Sequence, residues 1–183
     1  MNQKLNLEIV INFLLETQMF SGLNVSELSE IASVMDIQKF KEKEVVFTEG
    51  DIGDGWYVLF DGVVQVSKHI PFQKDKQVAT LQRQACFGEM AILDSSPRSA
   101  TIAAKSECIV FRFPRRKFER LLEEGKLGAY KLVYGMACTL AKRQRQLNVQ
   151  IAQLTKEIED IEAELDLDRS DIFDRTDLFT IER

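Results

Sequence analysis

Histidine is nearly missing from this chain: His69, in a lysine-rich turn between Lys68 and Lys76, is the 1 copy among 183 residues. A hydrolytic centre that uses histidine as its base needs a nucleophile and an orienting acid around the ring, and a zinc site needs several His, Cys or carboxylate ligands. No Ser-His-Asp or Cys-His set and no metal-ligand cluster can be drawn around His69. The expectation is therefore no catalytic residue, no metal and no enzymatic activity. Cysteine is equally thin. Cys86, Cys108 and Cys138 are odd in number and lack metal spacing, which points to buried or idle thiols in a reducing cytoplasm. Long apolar runs are also lacking. The segment Leu7 to Leu15 is interrupted by Glu8 and Asn12 with no small-residue cleavage site after it, so neither a secretory signal nor a membrane span is expected. Basic residues are short as well, 24 Lys and Arg against 29 Asp and Glu for a net charge of -5, which leaves no electrostatic footprint for nucleic acid or anionic membrane.

What is present can bury one substantial core: 45% of the residues are hydrophobic, in a length that suits one domain plus an extension. Residues Leu5 to Gln18 place apolar side chains at helical spacing. A break at Ser21 and Gly22 precedes a second amphipathic segment, Ser26 to Met35, whose Ser26-Glu27-Leu28-Ser29-Glu30 reads as a capped helix start. From Asp36 to Phe113 the period changes to two. Strands are expected near Asp36 to Phe40, Val45 to Thr48, Trp56 to Phe60, Val63 to Lys68, Gln77 to Leu81, Ser99 to Ala103 and Cys108 to Phe113, which makes a small all-β roll. Within it, GDIGDGWYVLFDGVVQV at Gly50 to Val66 supplies turns: Gly50, Gly53 and Gly62 can take positive φ, and Asp51 and Asp54 can bond their own nearby backbone. These glycines are expected to shape the roll and to stay outside any site. After Pro114, Arg115 to Glu124 reads as a short helix that packs Phe118, Leu121 and Leu122, broken by Gly125 or Gly128.

The stretch Phe87 to Thr101, FGEMAILDSSPRSAT, holds the richest chemistry. Arg98 offers a planar fork that matches two phosphate oxygens, and a short helical turn starting near Met90 presents backbone N–H groups and a positive dipole end to the same anion. Glu89, acceptor-only, suits a ribose hydroxyl. This stretch closely resembles the phosphate-binding cassette of cyclic nucleotide-binding domains, as in protein kinase A regulatory subunits and the bacterial catabolite activator protein. The Gly-Asp-x-Gly-Asp turn at Gly50 to Asp54 resembles a second signature of that family, and Phe20-Ser21-Gly22-Leu23 its helical lead-in. The resemblance implies that Glu89 binds the ribose 2′-hydroxyl and Arg98 the cyclic phosphate, with Gly88, Met90, Ala91 and Ser99 completing the cage. It also implies cAMP or cGMP as ligand. Ser99 is a hydroxyl that could reach the guanine amino group of a syn base, as a Thr does in cGMP-preferring relatives, yet cAMP-binding bacterial members also carry Ser there; cAMP is favoured. A surface ion pair of Glu89 with Arg98 flanking a turn is the plain alternative.

From Ala129 a long helix begins with apolar residues at alternating spacings of four and three. The a positions are Ala137, Gln144, Ile151, Ile158 and Leu165; the d positions are Val133, Leu140, Leu147, Leu154 and Ile161. A heptad of this kind predicts a homodimer with a parallel upper coil. The helix resembles the dimer helix of the catabolite activator family, whose upper part reaches over the base; the carry-over falls on Arg143 and Gln144, and a one-turn shift would move it to Leu147 and Asn148. Gln144 reads equally as a polar register pin. Farther down, Glu157, Glu159, Asp160, Glu162, Glu164, Asp166 and Asp168 carry no intervening base. Like charges at g and e′ weaken a parallel pair, so that the lower coil splays, takes a basic partner, or runs antiparallel against Lys142, Arg143 and Arg145.

The tail repeats itself: residues 168–173 read DRSDIF and residues 174–179 read DRTDLF. Either the apolar pairs form a bivalent docking segment or they fold back on the protein's own surface. The reading is an α+β chain: a helical lead-in over 1–35, a jelly-roll-like cyclic nucleotide-binding β-roll over 36–124, a long coiled-coil dimerisation helix over 125–167 and a repeat-bearing tail over 168–183. Its expected function is that of a cytoplasmic cyclic nucleotide receptor in signal transduction, which relays binding through residues 157–183 to a protein partner, with no nucleic acid and no membrane. The rivals are a dimeric scaffold that has lost ligand binding, against which the intact Glu89 and Arg98 speak, and an atypical transcription regulator, against which the acidic balance speaks.

Overall fold

The structure is a computed structural model that describes residues 6–72 and 75–174, without the side chains of Ala91 and of residues 164–174. The lead-in is α1 (Leu7–Glu16), a 3-10 turn (Gln18–Phe20) and α2 (Val25–Ser33). Asn6 caps α1 by accepting from Ile9 N at 2.9 Å. The cap of α2 is Asn24 and not Ser26: the Asn24 side chain accepts from Glu27 N and the Glu27 carboxylate accepts from Asn24 N, both at 2.9 Å. Asn24 has the extended backbone a cap requires, whereas Ser26 already lies in the first turn.

The roll has two four-stranded antiparallel sheets. One runs β1 (Asp36–Phe40), β8 (Cys108–Pro114), β3 (Gly55–Asp61), β6 (Cys86–Phe87); the other runs β2 (Val45–Phe47), β7 (Thr101–Ala104), β4 (Val64–Lys68), β5 (Lys76–Leu81). Every strand expected from the period-two pattern is there, with ends moved by one or two residues. The pattern misses β6, whose two residues are too few to show a period and are held by pairing Phe87 with Tyr57 and Cys86 with Val58. Among the turn glycines, Gly50 (φ 88°) and Gly62 (φ 92°) take positive φ as expected, and Gly53 does not.

The WYVLF run of β3 is apolar throughout because both of its faces are buried. Trp56 and Val58 turn toward a core shared with the helices, where the Trp56 ring stacks on Phe113 of β8 at 4.2 Å. Tyr57 and Leu59 turn the other way, into the space between the sheets, with Val64, Phe87, Ile102 and Val110. The lead-in closes on the first core through Phe13 and Phe20. The Arg83 guanidinium lies 4.6 Å from the Phe13 ring and 4.9 Å from the Phe60 ring, each contact worth about 0.5–1 kcal/mol at a partly exposed site.

The helices α3 (Met90–Leu93), α4 (Arg115–Glu123) and α5 (Leu127–Asp174) follow in chain order. Residues up to Ala137 form one compact unit and Cys138–Arg183 a second. In the first unit α5 buries Ala129, Leu132 and Met136, and Val133, a d position of the heptad, packs at the edge of the same core. Lys131 Nζ pairs with Glu27 Oε1 at 2.7 Å and fastens α5 to α2. In the second unit, Leu147, Ile151, Leu154, Ile158 and Ile161 are all exposed on α5. The repeat at 168–179 lies in part beyond the described residues, and its side chains are outside them altogether. No helix among the described residues is long and apolar enough to cross a membrane.

The Lys131 ammonium, followed by the Asn24 N–H, holds the Glu27 carboxyl below its ordinary value of 4.5. A carboxyl lowered on folding contributes stability that is complete above its unfolded value and is lost as pH falls through the lower folded value. Glu27→Gln should therefore unfold at a lower temperature than the parent at pH 7, and the gap should shrink below pH 4.5. Melting curves of both proteins from pH 7 to pH 3 measure it; a gap independent of pH would mean that the ion pair contributes nothing.

Candidate functional site

The turn that enters β7 is pinned by backbone before any side chain acts. Arg98 N donates to Asp51 O at 2.8 Å and Gly50 N donates to Arg98 O at 2.9 Å, which lays the glycine-rich turn along the end of the cassette. Asp51 does what its position predicted, its carboxylate accepting from Thr48 N at 2.9 Å. Asp54 does not. Its carboxylate leaves the local backbone and takes Arg98 Nη2 at 3.3 Å and Arg112 Nη2 at 2.6 Å. The expectation of a bond to nearby backbone is thus corrected at Asp54, whose long-range partners no local pattern encodes.

The Arg98 side chain is only 2% exposed. Nη1 donates to Gly88 O at 3.0 Å, Nη2 to Asp54, and Nε is buried with no partner among the described residues. The guanidinium lies over the Phe47 ring at 4.2 Å and 5.7 Å from that of Tyr57. Gly88 is required here: at φ 77° a Cβ would stand 2.7 Å from Arg98 Nη1. Burial pushes the Arg98 pKa below its ordinary range; Tyr57 and Asp54 pull it back, and nearby Arg112 adds to the depression.

Glu89 is 2% exposed and stands at the start of α3. Met90 and Leu93 are exposed on α3, Ala91 lies between them, and the Ser99 hydroxyl approaches the Met90 sulfur at 4.0 Å. Gly88, Glu89, Met90, Ala91, Arg98 and Ser99 thus share one short stretch of chain, closed on itself by the Arg98 to Gly88 bond. Arg143 and Gln144 lie in the second unit, both exposed on α5.

Two further residues sit beside the cassette that sequence reasoning did not single out. Lys68, at the end of the row Val64, Val66, Lys68, donates to Ser99 O at 2.7 Å and pairs with Glu49 at 2.8 Å. The Glu49 carboxyl also accepts from His69 N at 2.9 Å, and this bond, then Lys68, holds it below its ordinary range. The period-two alternation could have placed Lys68 on the same face of β4 as the two valines. The His69 ring faces Asp75 at 3.0 Å on the surface, and no cluster able to hold a metal occurs among the described residues.

A cavity of about 400 Å³ opens at Arg98, Phe47, Asp51, Asp54 and Tyr57. Another of about 420 Å³ lies between Glu16 and the Thr80–Ala85 segment. Volume does not separate the two. Of the two, only the first is lined by a buried charged side chain, that of Arg98.

Residues 37–125 match the family model of the cyclic nucleotide-binding domain. The cAMP-dependent protein kinase regulatory subunit of Hypocrea atroviridis is 34% identical over 111 residues, which is 61% of this chain and 23% of that protein; the chain spans about a quarter of the length of such relatives. A cyclic nucleotide-binding domain from Methylobacillus flagellatus superposes with a TM-score of 0.68 at 25% identity over 76% of this chain and 78% of that one. The catabolite activator protein of Thermus thermophilus shares the fold with a TM-score of 0.68 at 23% identity, covering 75% of this chain and 63% of that one. Residues 37–125, with their cassette and two-sheet roll, thus belong to the cyclic nucleotide-binding domain family.

Proposed function

We propose that the roll is a receptor for a cyclic mononucleotide, cAMP in preference to cGMP, held by Gly88, Glu89, Met90, Ala91, Arg98 and Ser99. The observation that carries this reading is the electrostatic state of Arg98. Its guanidinium is buried, and among the described residues its Nε has no partner and its one carboxylate contact is long and made to an Asp54 side chain that is 64% exposed. A buried charge with so little compensation is costly, and a monoanionic phosphodiester supplies what is missing. Glu89, buried in the same cassette, suits the ribose hydroxyls that accompany such a phosphate. The names of the relatives, several of them cAMP-dependent kinase regulatory subunits, support the ligand class.

Output is proposed through α5. The exposed residues Leu147, Ile151, Leu154, Ile158 and Ile161 recur at spacings of four and three, the seam of a two-stranded coil, and support a homodimer. Arg143 or Gln144 covers the base, so that binding biases the geometry of α5 and of residues 157–183 toward a protein partner. Signal transduction in the cytoplasm is the setting this reading implies.

Thermal unfolding with excess cAMP or cGMP tests the receptor. A ligand at a hundred times its dissociation constant stabilises by about 2.7 kcal/mol, a rise of several degrees in midpoint, and no rise with either nucleotide would leave the scaffold reading. Arg98→Ala should weaken binding by about 2–5 kcal/mol, the penalty for removing one half of a desolvated charge pair. Unchanged affinity in that variant would overturn the site. Sedimentation equilibrium tests the coil: Ile151→Glu should yield monomers. For the parent, salt should tighten a parallel dimer by screening Glu157 from Glu162 and loosen an antiparallel one.

A further inference from the structure

Arg112 sits in the middle of β8, the strand flanked by β1 and β3, so its register partners are Asp36 on one side and Tyr57 on the other. Its Nη2 donates to Asp54 Oδ2 at 2.6 Å and its Nη1 stands 3.6 Å from Asp36 Oδ2, while Asp36 Oδ1 takes Lys117 Nζ of α4 at 2.9 Å. Asp54 is therefore shared unequally. The contact to Arg112 is a short, charge-assisted bond, and the contact to Arg98, at 3.3 Å, lies at the weak end of the range. A carboxylate can grip one guanidinium with both oxygens, but this one is split between two. The electrostatics follow the geometry. Burial works against the Arg112 charge, yet Asp54 and Tyr57 more than offset it and hold Arg112 above its ordinary range, whereas Arg98 stays below.

We infer that Arg112 is a positioning residue for anion binding: by holding Asp54 in a short pair anchored to β1, it keeps that carboxylate from closing on Arg98 and leaves the buried guanidinium open to the ligand's phosphate. The inference rests on the cyclic nucleotide reading of the same site. Arg112 does not follow Asp54 inward, because Asp36, itself paired with Lys117, holds its other edge. Once Arg112 is removed, Asp54 can take Arg98 with both oxygens, and an incoming phosphate must break that pair.

The test is calorimetric titration of cAMP and cGMP into the parent, Arg112→Ala, Arg112→Gln, Arg112→Lys, Asp54→Asn and the Arg112→Ala/Asp54→Asn double variant. Arg112→Ala should bind about tenfold more weakly, the scale of coupling between groups in one ion network. Arg112→Lys should restore most of the loss. In the Asp54→Asn background, removing Arg112 should change affinity by less than about twofold, because the competing carboxylate is gone. A purely structural role for Arg112 would weaken binding equally in both backgrounds, and that result, or no loss at all in Arg112→Ala, overturns the inference while the receptor reading stands. Should Arg112→Ala fail to fold, Arg112→Gln carries the same cycle. If the parent binds neither nucleotide, the receptor reading falls and takes this inference with it.

Discussion

A guanidinium enclosed by protein must be held in place by groups that do not fully neutralise it if it is to retain capacity for a ligand. In this chain the surroundings of Arg98 meet both conditions. The Gly88 carbonyl and the Phe47 ring orient the side chain without carrying a net charge, and the Asp54 carboxylate is drawn away by another arginine. Gly88 can approach only because it lacks a Cβ, and the turn at Gly50 and Asp51 fixes the Arg98 backbone from the other side. The short-range features of the cassette thus serve to keep one buried charge in a fixed and incompletely satisfied state.

β3 and β8 connect that charge to the rest of the first unit. Both are buried on two faces, so each alternation of side chain links the space between the sheets to the core shared with the helices. Tyr57 faces the Phe47 and Phe87 rings on the site side, whereas its neighbour Trp56 stacks on Phe113 beneath the helices. Displacement of either strand would therefore be felt in both cores, because packed interiors shift between discrete arrangements more readily than they deform. The ion network from Asp54 through Arg112 and Asp36 to Lys117 runs across the same strands and ends on α4.

The first turns of α5 belong to this framework, and the later ones have a different character. Ala129, Leu132 and Met136 are buried, and Glu27 with Lys131 adds a charged clasp. Beyond Ala137 the helix carries an exposed apolar row and, lower down, a run of acids without bases. The apolar row of α5 thus passes from buried, in the turns that belong to the first unit, to exposed in the turns that follow.

Sequence alone determined the elements that rest on local periodicity and on residue types with no substitute. The strands declared themselves by alternation, the long helix by its heptad, and the cassette by Gly88, Glu89 and Arg98, whose spacing in the chain is also their proximity in the fold. Where the outcome depended on short elements or distant partners, only the tertiary structure decided it. Asn24 replaced Ser26 as the cap because capping depends on one residue's backbone angles. The two-residue β6 exists by pairing with β3 and has no pattern of its own. Asp54 had the appearance of a turn residue like Asp51, and pairs at long range because the fold brings Arg98 and Arg112, 44 and 58 residues farther along the chain, to its carboxylate. Local propensity is written residue by residue; the sharing of one carboxylate between two arginines arises only when strands remote in sequence are laid side by side.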